Sequence, residues 1–208
     1  MFNVCPHCGE YSAEKTIDPA GPYAICPYCH YAHPFLMQPL FILTGPSGAG
    51  KTTVCLELAS HLKDCVTLET DILWGAFPTT ADKGYSAYHD MWLRLAKNIG
   101  QTGRPVVLCG TMLPEHLVNC PERRYFSAVH YLALVCEDDL LVQRLKQRPL
   151  WRGADPTDGE MVRFNRWLKA HAADTEPPMT LYDTSQHSIA ETAHAVTQWI
   201  DEILLQKE

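Results

Sequence analysis

The chain has 208 residues, 46% of them hydrophobic and 20% charged, enough for one sizeable core and a small appendage. A formal net charge of −7 and a pI near 5.8 provide no basic surface for a phosphate backbone, so long nucleic acid is disfavoured as a partner. The opening residues MFNVCPHCGE form neither a basic nor an apolar leader, and no window approaches a membrane span, so a cytoplasmic location is expected.

Residues 1–35 hold four of the nine cysteines and no apolar run long enough for a core, so this piece needs a staple. Cys5-x2-Cys8 and Cys26-x2-Cys29, seventeen residues apart, supply four thiolates at a spacing that suits a closed, tetrahedral, structural Zn²⁺ site. A redox dithiol would need only one such pair. The segment resembles a zinc ribbon, and His7, His30 and His33 read as surface residues that a four-cysteine site does not require. Cys55, Cys65, Cys109, Cys120 and Cys136 are scattered without a pairing pattern, which suits a reducing compartment. HPFLMQP, His33 to Pro39, reads as a connection. The expected division is a ribbon over 1–35, a linker over 36–39 and a second domain over 40–208.

From Leu40 onward, short apolar runs alternate with helical patterns. LFILT (40–44), CVTLET (65–70), PVVLCG (105–110), VHYLALV (129–135) and TLYDT (180–184) are candidate strands. Val54, Leu58 and Leu62 recur at helical spacing, as do Met91, Leu95 and Ile99, then Met161, Phe164 and Leu168. A final helix opens on the capping-box pair Ser188 and Glu191 and carries Ile189, Ala193, Val196, Ile200 and Leu204 on one stripe. This alternation predicts an α/β fold with a mainly parallel sheet covered on both faces, its ligands at the carboxyl ends of the strands.

The stretch GPSGAGKT follows the first of those strands and opens a helix, the context that gives a G-x-x-x-x-G-K-[ST] match its meaning. Gly45, Pro46, Ser47, Gly48, Ala49 and Gly50 would wrap backbone N–H groups around phosphates. Lys51 would reach the β and γ phosphates, Thr52 would offer its hydroxyl to Mg²⁺, and Thr53 continues the helix N-terminus.

Asp71, in ETDILW, emerges at the carboxyl end of the second strand. There it either accepts a proton from an acceptor hydroxyl or holds Mg²⁺ through water, or else simply caps the next helix. Arg144 and Arg148 stand four apart before Pro149. They either neutralise charge on a transferring phosphoryl group or form a solvated face paired with Glu137 to Asp139, with Lys146 and Arg152 nearby. Trp74, Phe77, Tyr85, Tyr88 and Trp92 concentrate aromatic rings after Asp71, where they could stack on an acceptor; Met91 and Trp92 fit a core stripe better.

The order of GPSGAGKT, TDILW, PVVLCGTMLPEH, ALVCEDDLLVQRLKQRP and LYDTS resembles the P-loop small kinases related to nucleoside monophosphate kinases, chloramphenicol phosphotransferase and the kinase domain of polynucleotide kinase, over about residues 40–205. The resemblance implies a three-layer P-loop NTPase fold in which Lys51 and Thr52 bind MgATP, Asp71 handles the acceptor hydroxyl and Arg144 and Arg148 act as lid arginines. It also implies that Asp183, Thr184 and Gln186 lie near the adenine. Two features depart from the pattern. Cys109 ends the third strand where many relatives carry an acid, and a fused ribbon is not a general feature of these kinases. The expected function is ATP-dependent transfer of a phosphoryl group to a small-molecule acceptor, a nucleoside or nucleotide by preference. The alternative is an ATP-sensing module whose ribbon binds protein or RNA. A polynucleotide acceptor is opposed by the net charge.

Overall fold

A computed structural model describes residues 3–73, 85–148 and 159–206. Trp74, Phe77, Pro149 and Arg152 lie outside the described residues. Two sheets organise the chain. Strands β1 (Thr16–Asp18), β2 (Tyr23–Ile25) and β3 (Ala32–Pro34) form a small antiparallel sheet beside two cysteine knuckles. A five-stranded sheet follows, built from β4 (Leu40–Thr44), β5 (Val66–Glu69), β6 (Val106–Cys109), β7 (Val129–Val135) and β8 (Met179–Asp183). Its order is β5-β6-β4-β7-β8 and every pair is parallel.

Parallel strands need crossovers, and the helices supply them on both faces. Helices α1 (Lys51–His61) and α6 (Ile189–Leu205) cover one face; α2 (Ser86–Gly100), α3 (Pro114–Leu117) and α5 (Glu160–His171) cover the other. Helix α4 (Asp138–Lys146) packs through Leu141 and Leu145 beside α5. The period-two alternation of β4 divides its side chains between two cores: Leu40 and Ile42 join Trp92, Leu93 and Leu168, while Phe41 and Leu43 join Val54, Leu58, Val196 and Ile200. All five residues of β4 are buried, as expected of a central strand sandwiched between helical layers. Truncating Ile42 to alanine there would cost about 2–5 kcal/mol.

The five expected strands form where their apolar runs predict. On α2, however, the expected stripe of Met91, Leu95 and Ile99 gives way to a face of His89, Trp92, Leu93, Ala96, Lys97 and Gly100, and Leu95 is 38% exposed. A buried lysine and histidine on the inward face displace the apolar pattern by about one residue. The α6 capping box forms: the Ser188 hydroxyl oxygen accepts from the Glu191 N–H (3.2 Å) while the Ser188 N–H donates to the Glu191 carboxylate (2.8 Å). Among the described residues no helix is long and apolar enough to cross a membrane.

Candidate active site

The loop after β4 turns at Gly45, whose φ of 141° and whose place against the Leu134 carbonyl leave no room for a Cβ, which would stand 2.4 Å from that oxygen. It ends at Gly50, the left-handed N-cap of α1 (φ 102°), so that α1 starts with its free N–H groups at the carboxyl edge of the sheet. Lys51 Nζ donates to the carbonyls of Gly45 (2.7 Å) and Pro46 (3.0 Å). Burial pulls the Lys51 pKa down to about 8; the charge of Asp71 opposes that shift, Arg148 adds to it, and Cys109 and Glu69 oppose it. Lys51 therefore senses Asp71, Glu69 and Arg148 together.

The hydroxyl of Thr52 donates to the carboxylate of Glu69, the last residue of β5. Glu69 stands in register with Cys109 on β6, and burial raises the Cys109 thiol well above its usual value. An acid, Glu69, thus stands one strand over from Cys109. Spacing held a signal for it, since Glu69 and Asp71 flank one residue at a strand end, but its significance depends on β5 and β6 being neighbours.

Asp71 lies in a 3₁₀ turn, Thr70–Leu73, exposed at the carboxyl end of β5. That turn is pinned by its neighbours. Gly110 packs so closely that a Cβ there would stand 1.7 Å from the Thr70 hydroxyl oxygen, and the Tyr88 hydroxyl donates to the Thr70 carbonyl (2.7 Å). Tyr88 meets His89 edge-on (5.7 Å between centroids), and His89 stacks on His116 of α3 at 5.0 Å and 12°. His116 Nδ1 accepts the Leu113 N–H (3.2 Å), which leaves the neutral ring its proton on Nε2. Burial, with the neighbouring His116, lowers His89 to about 4; burial likewise lowers His116. Of these stacked and edge-on rings, the sequence singled out only Tyr88.

On the other side of the loop, Arg144 donates from Nη1 to the Thr184 hydroxyl (3.1 Å) and from Nη2 to the Thr184 carbonyl (3.4 Å). The Thr184 hydroxyl also faces the carbonyls of Ala49 (3.4 Å) and Val135 (3.2 Å), so Arg144 and Thr184 brace the loop from behind. Asp183 accepts from the Ser185 N–H (2.8 Å), and Gln186 is exposed. The Ser47 N–H donates to Met161 Sδ (3.3 Å), which brings the start of α5 onto the loop. Lys51, Thr52, Glu69, Asp71 and Arg148 are therefore gathered at one edge, with Arg144, Thr184 and Asp183 behind it.

In the small N-terminal unit, Cys5, Cys8, Cys26 and Cys29 point their sulfurs at one another, all within 4.8 Å. Cys5 and Cys29 Sγ lie 3.7 Å apart and Cys8 and Cys26 Sγ 3.8 Å apart. A tetrahedron with Zn–S bonds of about 2.3 Å has edges of about 3.8 Å, so the four thiols fit that ion. The Cys8 N–H, with that of His7, bonds the Cys5 sulfur and holds its pKa down to about 6.

A parallel sheet of this order with a phosphate-type loop after its central strand defines the small P-loop kinase fold. Solved structures share it: a sugar kinase from Janibacter sp. HTCC2649 (15% identity, 79% of this chain and 95% of that chain, TM-score 0.56) and a gluconokinase from Sinorhizobium meliloti 1021 (15% identity, 84% and 99%, TM-score 0.51). At those identities the likeness concerns the fold. Residues 42–156 match the family described as AAA domain, and the chain belongs to that family. No curated protein matches it.

Proposed function

We propose that the protein is an ATP-dependent kinase that moves the γ-phosphoryl group of ATP to a hydroxyl of a small molecule. The observation that carries this reading is the convergence of Lys51, the Thr52–Glu69 pair and Asp71 at the carboxyl edge of β4 and β5. A loop that only gripped nucleotide would need no exposed carboxylate beyond it. In this reading Gly45 to Thr53 cradle the phosphates, Lys51 and Arg148 place positive charge against the transferring group, and Asp183, Thr184 and Gln186 line the base side. Arg144 holds Thr184 in place. Thr52 and Glu69 would hold Mg²⁺, which when bound would offset the negative charge of the phosphates. Asp71 accepts the acceptor's hydroxyl proton as its oxygen bonds to phosphorus and the bond from phosphorus to the β–γ bridging oxygen breaks, releasing ADP.

The acceptor side bears on the acceptor's class. Tyr88 senses the charges of Asp71 and Glu69, as Lys51 does from the loop side, and next to Tyr88 of α2 stand the neutral pair His89 and His116, with Glu115 beside His116. Carboxylates and neutral imidazoles favour hydroxyl groups and flat rings over a phosphate dianion. A nucleoside or a polyol therefore fits this wall better than a nucleotide. The fold shared with a sugar kinase and a gluconokinase lends the polyol branch weight.

We read residues 1–35 as a ribbon closed by Zn²⁺ on Cys5, Cys8, Cys26 and Cys29, residues 36–39 as the connection and 40–208 as the kinase-like domain. The direct experiment incubates the full chain with radiolabelled ATP, Mg²⁺ and a panel of polyols, sugars, nucleosides, nucleotides and oligonucleotides. Label on a hydroxyl of one class supports the reading. ATP hydrolysis without transfer to any class would favour the ATP-sensing alternative.

A further inference from the structure

Among the described residues, a pair of fully enclosed opposite charges lies between the ribbon and α2. The Lys97 ammonium donates to Asn3 Oδ1 and to Glu122, and the side chains of Lys97 and Glu122 are 0% and 1% exposed. Glu122 also accepts from Arg94 Nε (2.8 Å) and from Asn3 Nδ2 (3.3 Å). The ammonium sits 4.2 Å from the centroid of the Tyr125 ring. Tyr125 in turn donates its hydroxyl proton to the Ala13 carbonyl (2.5 Å), accepts the Lys15 N–H (3.2 Å), and packs with Ala24 and Phe35 of the ribbon. One turn further along α2, the Gln101 side chain bonds both the N–H and the carbonyl of Leu36 (2.9 and 3.0 Å). The connection expected over 36–39 is thus fastened to the helix.

Asn3 is the ribbon's part of this cluster, and it stands two residues before Cys5. Its carbonyl accepts the Ser12 N–H (2.9 Å), while Cys5 N donates to the Glu10 carbonyl (2.8 Å) and Gly9 N to the Cys5 carbonyl (2.9 Å). The first knuckle therefore sets where Asn3 points. At its other end α2 carries Tyr88, bonded to the Thr70 carbonyl beside Asp71, and His89, stacked on His116. A single helix joins the ribbon to the acceptor wall.

We infer that the four-cysteine knuckle is a buttress for α2: it fixes Asn3, which with Glu122 completes the shell of the buried Lys97 ammonium and so sets the position of the helix that carries Tyr88 and His89. A buried ion pair adds little net stability but is directional, because a buried ammonium tolerates few arrangements of its partners. An apolar contact would let α2 slide; this one indexes it. Asn3, Lys97 and Glu122 are positioning residues, and Zn²⁺ is the group that keeps the first of them in place. The ribbon is accordingly a fixed part of the kinase body rather than a tethered recognition module. The description of α2 as an acceptor-side helix and the Zn²⁺ in the knuckle both rest on the proposed function.

The test follows amide hydrogen exchange in the full chain, zinc-loaded and after chelation. Loss of zinc should speed exchange in α2 and in residues 121–125 by about 5- to 150-fold, the usual range of a coupling between sites, and leave α1 as it was. Coupling is reciprocal, so Lys97→Met in the zinc-loaded chain should weaken zinc binding by a similar factor, read by competition with the chelator 4-(2-pyridylazo)resorcinol. Should Lys97→Met not fold, Asn3→Ala serves the same purpose, since it removes only the ribbon's contact. Unchanged exchange in α2, equal loss of protection in α1, or unaltered zinc affinity in the variant that folds would each overturn the buttress. None of these readouts needs phosphoryl transfer, so they fail or succeed independently of the kinase reading.

Discussion

The Thr52 hydroxyl donates to the Glu69 carboxylate, and Glu69 lies in register with Cys109 on the adjacent strand. Thr52 opens α1 after β4 and Glu69 ends β5, two places away in the sheet, so the pair ties the start of α1 to the carboxyl end of β5. A carboxylate so placed orients the hydroxyl and can accept from water on a bound ion. Glu69→Gln keeps the shape and removes the charge. It should weaken ATP binding measured with Mg²⁺ by about 10- to 100-fold, the usual cost of losing such a partner, and change ATP binding measured in EDTA far less. Equal losses in both titrations would remove Glu69 from the cation site.

Asp71 distinguishes a kinase from a nucleotide sensor. Asp71→Asn should leave ATP affinity at pH 7 nearly intact while lowering transfer by roughly 10²- to 10⁴-fold, the range for a positioned general base. Asparagine caps a helix as well as aspartate does, so a purely local role predicts wild-type turnover. Calorimetric ATP binding measured beside acceptor turnover decides between them.

Lys51 makes nucleotide binding sensitive to alkali. Its pKa of about 8 in the free loop, caused first by burial, must rise when phosphates surround it, so binding takes up a proton above that pH. ATP affinity should be flat below pH 7 and fall as pH rises through 8, by about tenfold between pH 7 and 9. Calorimetry in two buffers of different ionisation enthalpy would detect the proton uptake at pH 8.5. Its absence would mean that Lys51 is charged throughout.

The zinc site predicts a stoichiometry. About one zinc per chain should copurify, and Cys26→Ser should lose it while α1 and β4 stay folded, because the hydrogen bonds from Asn3 beside the knuckle run to Lys97 of α2 and to Glu122. Metal analysis of fresh protein and the α1 exchange pattern check the two halves separately. Metal-free wild-type protein would end the ribbon reading.

Much of this was legible because the chemistry is local. The strand runs of β4 to β8 are short, apolar and bounded by turn formers; Gly45 to Thr52 and the two cysteine pairs declare themselves by spacing alone. What was hidden depends on strand order or on buried charge. Glu69 reads as an ordinary strand end until β5 lies beside β6, and only then does it stand next to Cys109. Lys97 reads as a solvent-facing residue because lysine is almost never fully buried unless paired, and its partners Asn3 and Glu122 are 94 and 25 positions away. The same burial displaced the apolar stripe on α2. Met161 reaches Ser47 from 114 positions away, a contact no local pattern announces.

The stacked pair His89 and His116 should make the fold acid-sensitive. His89 is 7% exposed, and burial, with the neighbouring His116, depresses it from the ordinary value of 6.5 to about 4; His116 is depressed too, though Glu115 opposes that shift. Between pH 6.5 and about 4 the unfolded chain therefore binds protons that the native pair refuses, so native stability is complete above pH 6.5 and drains away as pH falls toward 4. The loss should be on the order of 1–3 kcal/mol, reduced from the full shift because water reaches part of the site. His89→Gln keeps a hydrogen-bonding side chain of similar reach and has no proton to gain. Its urea midpoint should be lower than wild type at pH 7.5 but decline less between pH 6.5 and 4.5. Parallel pH profiles for the two proteins would show that His89 is protonated at its ordinary pKa, and that the wall beside Asp71 is charged rather than neutral at mildly acid pH.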